Sequence, residues 1–355
     1  MTQLTTLLLT AALALTSVQA QCGSGTPHAT VSGSTNAFRT TRGTTQLYSG
    51  SDYRLAIQSG LDGITPGQRL TILASGSIGA GTITLASGKI LESCGTINVS
   101  NRAGRGAIEI QNVNDVQIPY LTMTGNPYFG LRISGTRNLK LGKITFNLSG
   151  GLAIRFDRDA PMNYNVEMDT ISVTGAGSHA VETWNIDGLK INSVIARNVG
   201  ECGLLLQNTR NARVGLVDGN NVAAGNGYAT FRMANENGKT AAGNYETNVY
   251  VDKVVSRGGG RGIFCVSRSG GVVIQNVDLA SNGNNAILIE NCYNVSIKGG
   301  VVNGGGEVRL SARSEFPNNR DIWVTLRVDG NSVRESPCGE NTNFAISGNA
   351  KMQVC

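Results

Sequence analysis

The sequence predicts an all-β fold, a single-stranded right-handed parallel β-helix, and three observations carry that expectation. The first is composition: of 355 residues, 47 are glycine and only 7 proline, with 15 % charged and 40 % hydrophobic. So much apolar content excludes a disordered chain, and glycines without a period of three exclude a collagen-like one. The second is a repeat of about 23 residues, the kind of period that marks stacked architectures. Short strands end on the apolar or small anchors Ile110, Ile133, Phe156, Thr183, Leu206, Met233, Val266, Ile289 and Leu310, spaced by 23, 23, 27, 23, 27, 33, 23 and 21. The third is a regular offset after the anchors. A second apolar pair ends at Ile118, Leu141, Met168, Ile191, Val214, Val251, Ile274, Ile297 and Val324, eight residues after its anchor in six of the nine repeats. In many repeats a third pair ends five residues later, as at Met123, Phe146, Val173, Ala196 and Leu279. Each repeat is thus a coil of three short alternating strands with one face inward. A lone coil cannot bury that face, so the coils must stack.

The elements run in order from the N-terminus. Residues 1–20 read as a signal peptide, with an apolar run from Leu7 to Leu15 and a small-residue end at Ala20, so the expected location is secreted and extracellular. No later stretch approaches the ~18 apolar residues of a spanning helix, so no membrane association is expected after cleavage. Residues 21–67, with a short helix around Ser51 to Leu61, are the expected N-terminal cap. The β-helix is expected over 68–330, and 331–355 should close the other end, since exposed strand edges invite pairing. Seven cysteines in an exported chain imply disulfides with one thiol left over. Cys338 with Cys355 and Cys22 with Cys94 are the expected pairs, while Cys202, Cys265 and Cys292 compete for a third bond. Asn98, Asn147 and Asn294 each open an Asn-Val-Ser or Asn-Leu-Ser acceptor for N-glycosylation.

Three repeats break the eight-residue offset, and all do so at the same corner, placing insertions in 157–164, 235–247 and 313–319. Insertions in a stacked repeat map to loops on one face, commonly the binding face. Beside that corner the outward residues align as columns. One residue before the anchors stand Glu109, Arg132, Arg155, Glu182, Leu205, Arg232, Cys265, Leu288 and Arg309; one residue after them stand Asp157, Trp184, Gln207 and Glu290 among others. The next column brings Arg158, Asn185, Asn208, Asn235 and Arg268. This arginine, acid and asparagine group, with an exposed tryptophan, is the expected site.

On this repeat architecture the chain resembles the pectate-lyase-like superfamily of right-handed parallel β-helix proteins. The resemblance covers most of the sequence and implies a polysaccharide lyase, hydrolase or epimerase that binds an extended sugar chain along this face. An Arg-x-Pro-x-x-Arg lyase motif is missing, its nearest match being Arg158-Asp159-Ala160-Pro161, and the short motifs of polygalacturonase-like hydrolases are absent. The superfamily is therefore implied without a family inside it.

The net charge of +6, from 22 Arg and 8 Lys, points to an acidic polysaccharide as partner. No Lys/Arg run accompanies it and aromatics are 5 %, so a nucleic-acid partner is not expected. The leading expectation is a lyase acting by β-elimination. Arg155 and Arg232 would bind carboxylates, Asn185, Gln207 and Asn235 would donate to the enolate, and His179, Tyr245, Lys239 or an arginine depressed by its neighbours would be the base. Glu182 and Trp184 complete that centre, with Arg268, Glu290 and Arg309 as further substrate contacts. The alternatives are a glycoside hydrolase using Asp157 and Glu182 and a non-catalytic glycan-binding protein. The protein is expected to be a monomer. No cofactor is expected, calcium being the only metal the acids beside the corner could hold.

Overall fold

The computed structural model describes residues 21–225 and 227–355; the expected signal peptide lies outside the described residues. The chain forms a right-handed parallel β-helix of about 12 turns, the architecture that both the repeat and the superfamily resemblance imply. The nine apolar residues expected on the second strand of each coil stand in one unbroken register, from Ile118 beside Leu141 through to Ile297 beside Val324. All nine are buried, so the core is a continuous column rather than a set of separate clusters.

At the N-terminal end, strands Ala29–Ser34, Ala37–Arg42 and Thr45–Gly50 pair antiparallel. A helix, Tyr53–Asp62, follows them. Asp52 caps it by accepting the Leu55 N–H, and its buried side, Tyr53, Ala56, Ile57 and Leu61, has the i, i+3/i+4 spacing of a core-facing stripe. The first cap strand then pairs parallel with Arg69–Ile72 and starts the stack. At the other end parallel pairing continues through Glu340–Gly348 and Lys351–Gln353. Residues 331–355 are therefore built on a coil of their own, tied by the Cys338–Cys355 disulfide.

Cys22–Cys94 and Cys265–Cys292 are the other two bonds, and Cys202 is the buried free thiol. Burial pushes that thiol up to about 12, which leaves it protonated and unreactive. Three disulfides fit an oxidising compartment, and no helix among the described residues is long and apolar enough to cross a membrane.

One expected anchor shifts by a residue. Met233 pairs with Cys265, not Val266, so Cys265 points inward and Phe264 takes the outward place beside Arg232. The cause is the next corner. Most coils turn it with one left-handed asparagine, such as Asn112, Asn185 or Asn291, whereas here Ser267 and Arg268 are both left-handed, at φ 55° and 56°. Asparagine tolerates this conformation better than most residues. The extra corner residue hides a one-residue slip that the sequence spacing absorbs.

Candidate functional site

The three longer connections follow the first strand of their coils, between Leu152–Phe156 and Asn163–Thr174, Ala229–Ala234 and Val249–Arg257, and Gly300–Ser311 and Arg320–Asp329. Beside them, Glu182 is the hub of the outward face. It is 5 % exposed, far less than an outward carboxylate on a bare sheet. Its Oε1 accepts the Trp184 indole N–H at 2.9 Å and the Gln207 amide at 2.9 Å, and its Oε2 accepts Arg155 Nη1. The Gln207 amide is itself oriented, because its Oε1 accepts Asn235 Nδ2 at 2.6 Å. Parallel pairing sets this up by placing Arg155, Glu182, Leu205 and Arg232 on successive rungs.

His179 sits beneath Glu182. Its Nδ1 accepts the Cys202 backbone N–H at 3.0 Å, so the ring proton is on Nε2. That nitrogen lies 3.1 Å from Glu201 Oε2 and 4.0 Å from Glu182 Oε2. Glu201 also accepts the Ser178 hydroxyl. Two carboxylates thus converge on one imidazole nitrogen, one of them buried and the other with 28 % of its side chain exposed. Burial lowers the His179 pKa, against the pull of Glu182 and Glu201 and with the help of Arg232 and Arg155. A group whose folded pKa is depressed stabilises the fold above its unfolded pKa, about 6.5 for histidine, and that contribution is lost as pH falls below it. Denaturant unfolding should therefore show stability dropping from pH 7 toward pH 5. In His179→Gln the His179 share of that slope should vanish; an unchanged slope would mean the ring is not held neutral.

Arg232 completes the group. Its guanidinium is stacked between the Tyr228 and Phe264 rings, 4.9 Å from each centroid. Its Nε is buried without a hydrogen-bond partner. Arg132 pairs with Asp157 and Glu109, Arg155 with Glu182, and Arg309 with Glu307; among the described residues Arg232 has no carboxylate partner. Around it lies an outward apolar layer of Leu205, Phe264, Val266 and Leu288 with Cys202, which lowers the local dielectric and strengthens any charge contact made there.

The remaining expected residues fall elsewhere. Trp184 is buried rather than exposed, 9 % accessible, with Arg158 over its ring, so it orients Glu182 and offers no open sugar platform. Asp157 is gripped by Arg132 Nε at 2.9 and 3.2 Å. Arg155 stands between it and Glu182 and pairs with both. Asn185 gives its amide to the Arg158 and Ala160 carbonyls and holds the first insertion in place. Lys239 and Arg268 pair with Glu236, and the Tyr245 hydroxyl donates to the Arg268 carbonyl with burial raising its pKa. Those three brace the longest insertion and lie apart from Glu182. Glu290 pairs with Arg313 and ties the third insertion to its coil. Asn98 and Asn147 are exposed. Asn294 spends its Nδ2 on Tyr245 O and Thr247 Oγ1, at 2.7 and 3.1 Å, so a glycan there, which replaces one of the two N–H donors, would break at least one of these bonds.

Glu201 and Tyr228 are site residues that the strand columns miss. Both lie five residues before their anchors, on adjacent coils, and columns extended upstream would contain them.

No family model matches the chain, and no curated protein matches it. Among solved structures it is similar to the A-module of a mannuronan C-5 epimerase from Azotobacter vinelandii, with a TM-score of 0.44 and 13 % identity over 86 % of this chain and 92 % of that one. It is also similar to a family 28 exopolygalacturonase from Yersinia enterocolitica, with a TM-score of 0.43 and 11 % identity over 84 % of this chain and 74 % of that one. The chemistry is therefore read from the site's own residues.

Proposed function

We propose that the protein is an extracellular enzyme that hydrolyses glycosidic bonds in an acidic polysaccharide. The observation that carries this reading is the pair Glu182 and Glu201, both within 4.0 Å of one neutral imidazole nitrogen and beside a guanidinium with no carboxylate partner among the described residues. Glycoside hydrolysis needs two carboxyl groups flanking the scissile bond. Glu182 accepts three donors and suits the role of base or nucleophile. Glu201, reached by solvent, suits proton delivery to the leaving oxygen. Arg232 suits the substrate's carboxylate, which would give its guanidinium the partner it lacks.

Elimination, the leading expectation from sequence, needs a free base, and its three candidates other than arginine are engaged. The His179 lone pair takes a backbone N–H, Lys239 is paired with Glu236, and the Tyr245 hydroxyl is bonded with its pKa raised. The test incubates the full chain with pectate, rhamnogalacturonan, alginate, glucuronan and glycosaminoglycans, with reducing ends and ultraviolet absorbance read together. New ends without absorbance are expected. Absorbance rising with the ends would mean elimination and overturn hydrolysis, and silence in both channels would leave a binding protein.

A further inference from the structure

A wide concavity lies away from Glu182. It is a groove of about 840 Å³ on the outward face of the second strands, adjoining another of about 510 Å³. Both are lined by Lys140, Glu167 and Lys190. Strand register stacks six residues up this face: Gln117, Lys140, Glu167, Lys190, Arg213 and Tyr250. The groove exists because an asparagine ladder is interrupted. Asn165 donates to Asn138 and Asn138 to Asp115, at 3.1 and 2.8 Å, but the next rung is Gly188, left-handed at φ 84°. With no side chain there, the floor drops between Asn165 and Asn211, and Thr247 and Asn248 at the end of the longest insertion help to wall it.

We infer that this groove is a second, non-catalytic binding site for a linear carboxylated polysaccharide. Three observations define that ligand. Lys190 is exposed and makes no ion pair or hydrogen bond among the described residues. Arg213 lies over the Tyr250 ring, its guanidinium carbon 4.6 Å from the centroid, and it too makes no ion pair among the described residues, whereas Lys140 and Glu167 satisfy each other at 3.6 Å. These cations recur along the stack at multiples of the rung spacing, ~4.8 Å. That periodicity matches a chain carrying one carboxylate per sugar, and the ladder amides beside it can bond sugar hydroxyls. A nucleic acid would want a row of stacking aromatics, and the only aromatic in this column is Tyr250. The choice of a polysaccharide rests on the proposed function; the groove and its two cations outside any ion pair do not.

The test is affinity electrophoresis of the full chain in gels containing polygalacturonate, alginate or hydroxyethylcellulose. Retardation is expected in the two acidic polymers and not in the neutral one. The exposed double variant Lys190→Glu/Arg213→Glu should bind about tenfold more weakly, with an unchanged melting temperature. Its turnover of a short oligosaccharide should be unchanged. Wild-type retardation in the double variant, no retardation of the wild type, or equal competition by single-stranded DNA would each overturn the inference. Retardation lost in the double variant without turnover in any protein would sustain the groove and sink the hydrolase. Turnover with undiminished retardation in the double variant would do the reverse.

Discussion

Replacing Glu182 by glutamine is expected to lower turnover by about 10²–10⁴, the range general acid–base groups contribute, and to destabilise the protein as well. The two effects have separate causes. A carboxylate accepts on both oxygens, and here Trp184 Nε1, Gln207 Nε2 and Arg155 Nη1 are all donors. A glutamine amide must turn its own NH₂ toward at least one of them, so one buried donor faces another. Arg155 would keep only Asp157, 3.9 Å away. Removing one partner of a buried ion pair costs about 3–5 kcal/mol; Arg155 is 23 % exposed on its side chain, which places the expected loss near the lower end. Glu201→Gln separates chemistry from folding. Its turnover should fall by a similar factor, but its side chain is more exposed and its contacts to His179 and Ser178 are lateral, so the unfolding free energy should change by about 1 kcal/mol or less. Turnover surviving in both variants would remove the carboxylate pair from the mechanism.

The contrast between these two glutamates also marks how much was legible in the sequence. Period-two alternation puts Ile118 through Val324 on one buried column and Arg155, Glu182 and Arg232 on the opposite face. Both inferences rest on strand geometry, which is local and repetitive. The insertions are legible for the same reason, since a fixed offset makes any excess visible. The pattern does not carry direction beyond the strand. Trp184 follows an inward anchor and so reads as exposed, yet its N–H turns back to Glu182 and Arg158 covers its ring. Glu201 comes from the corner before its strand, where alternation says nothing, and only its bonds to His179 and Ser178 bring it to Glu182. The Val266 anchor slips because a two-residue left-handed corner and a one-residue one leave similar spacings in the sequence. The groove at Gly188 is hidden more completely. It is made by a missing side chain, and one glycine among 47 carries no signal until the ladder it interrupts is seen.

Arg232→Met should make the protein more stable and the enzyme worse. The guanidinium occupies a slot between two aromatic rings, beside Leu205 and Phe264, with a buried Nε that bonds nothing. Stacking on two rings returns about 0.5–2 kcal/mol and a side-chain hydrogen bond with Tyr228 adds to it, but a partly desolvated charge with no carboxylate in ion-pair contact among the described residues costs more than it would in a paired site. Methionine is unbranched, fills the same slot and touches aromatic rings favourably, so a gain of about 1 kcal/mol in unfolding free energy is expected, the direction seen when buried charges give way to apolar residues. The catalytic loss has the opposite origin. If the missing partner of Arg232 is a uronate carboxylate, kcat/KM on an acidic polymer should fall about a hundredfold, the equivalent of one charge-assisted contact. On the methyl-esterified form of the same polymer, which presents no charge, the variant and the wild type should differ little. Chemical denaturation and paired kinetics on the two polymers read both halves. A variant that is less stable, or that loses equally on both substrates, would make Arg232 a packing residue and leave the acidic specificity without its receptor. Gained stability paired with lost discrimination is the signature of a charge kept in an unfavourable place for a ligand that arrives later.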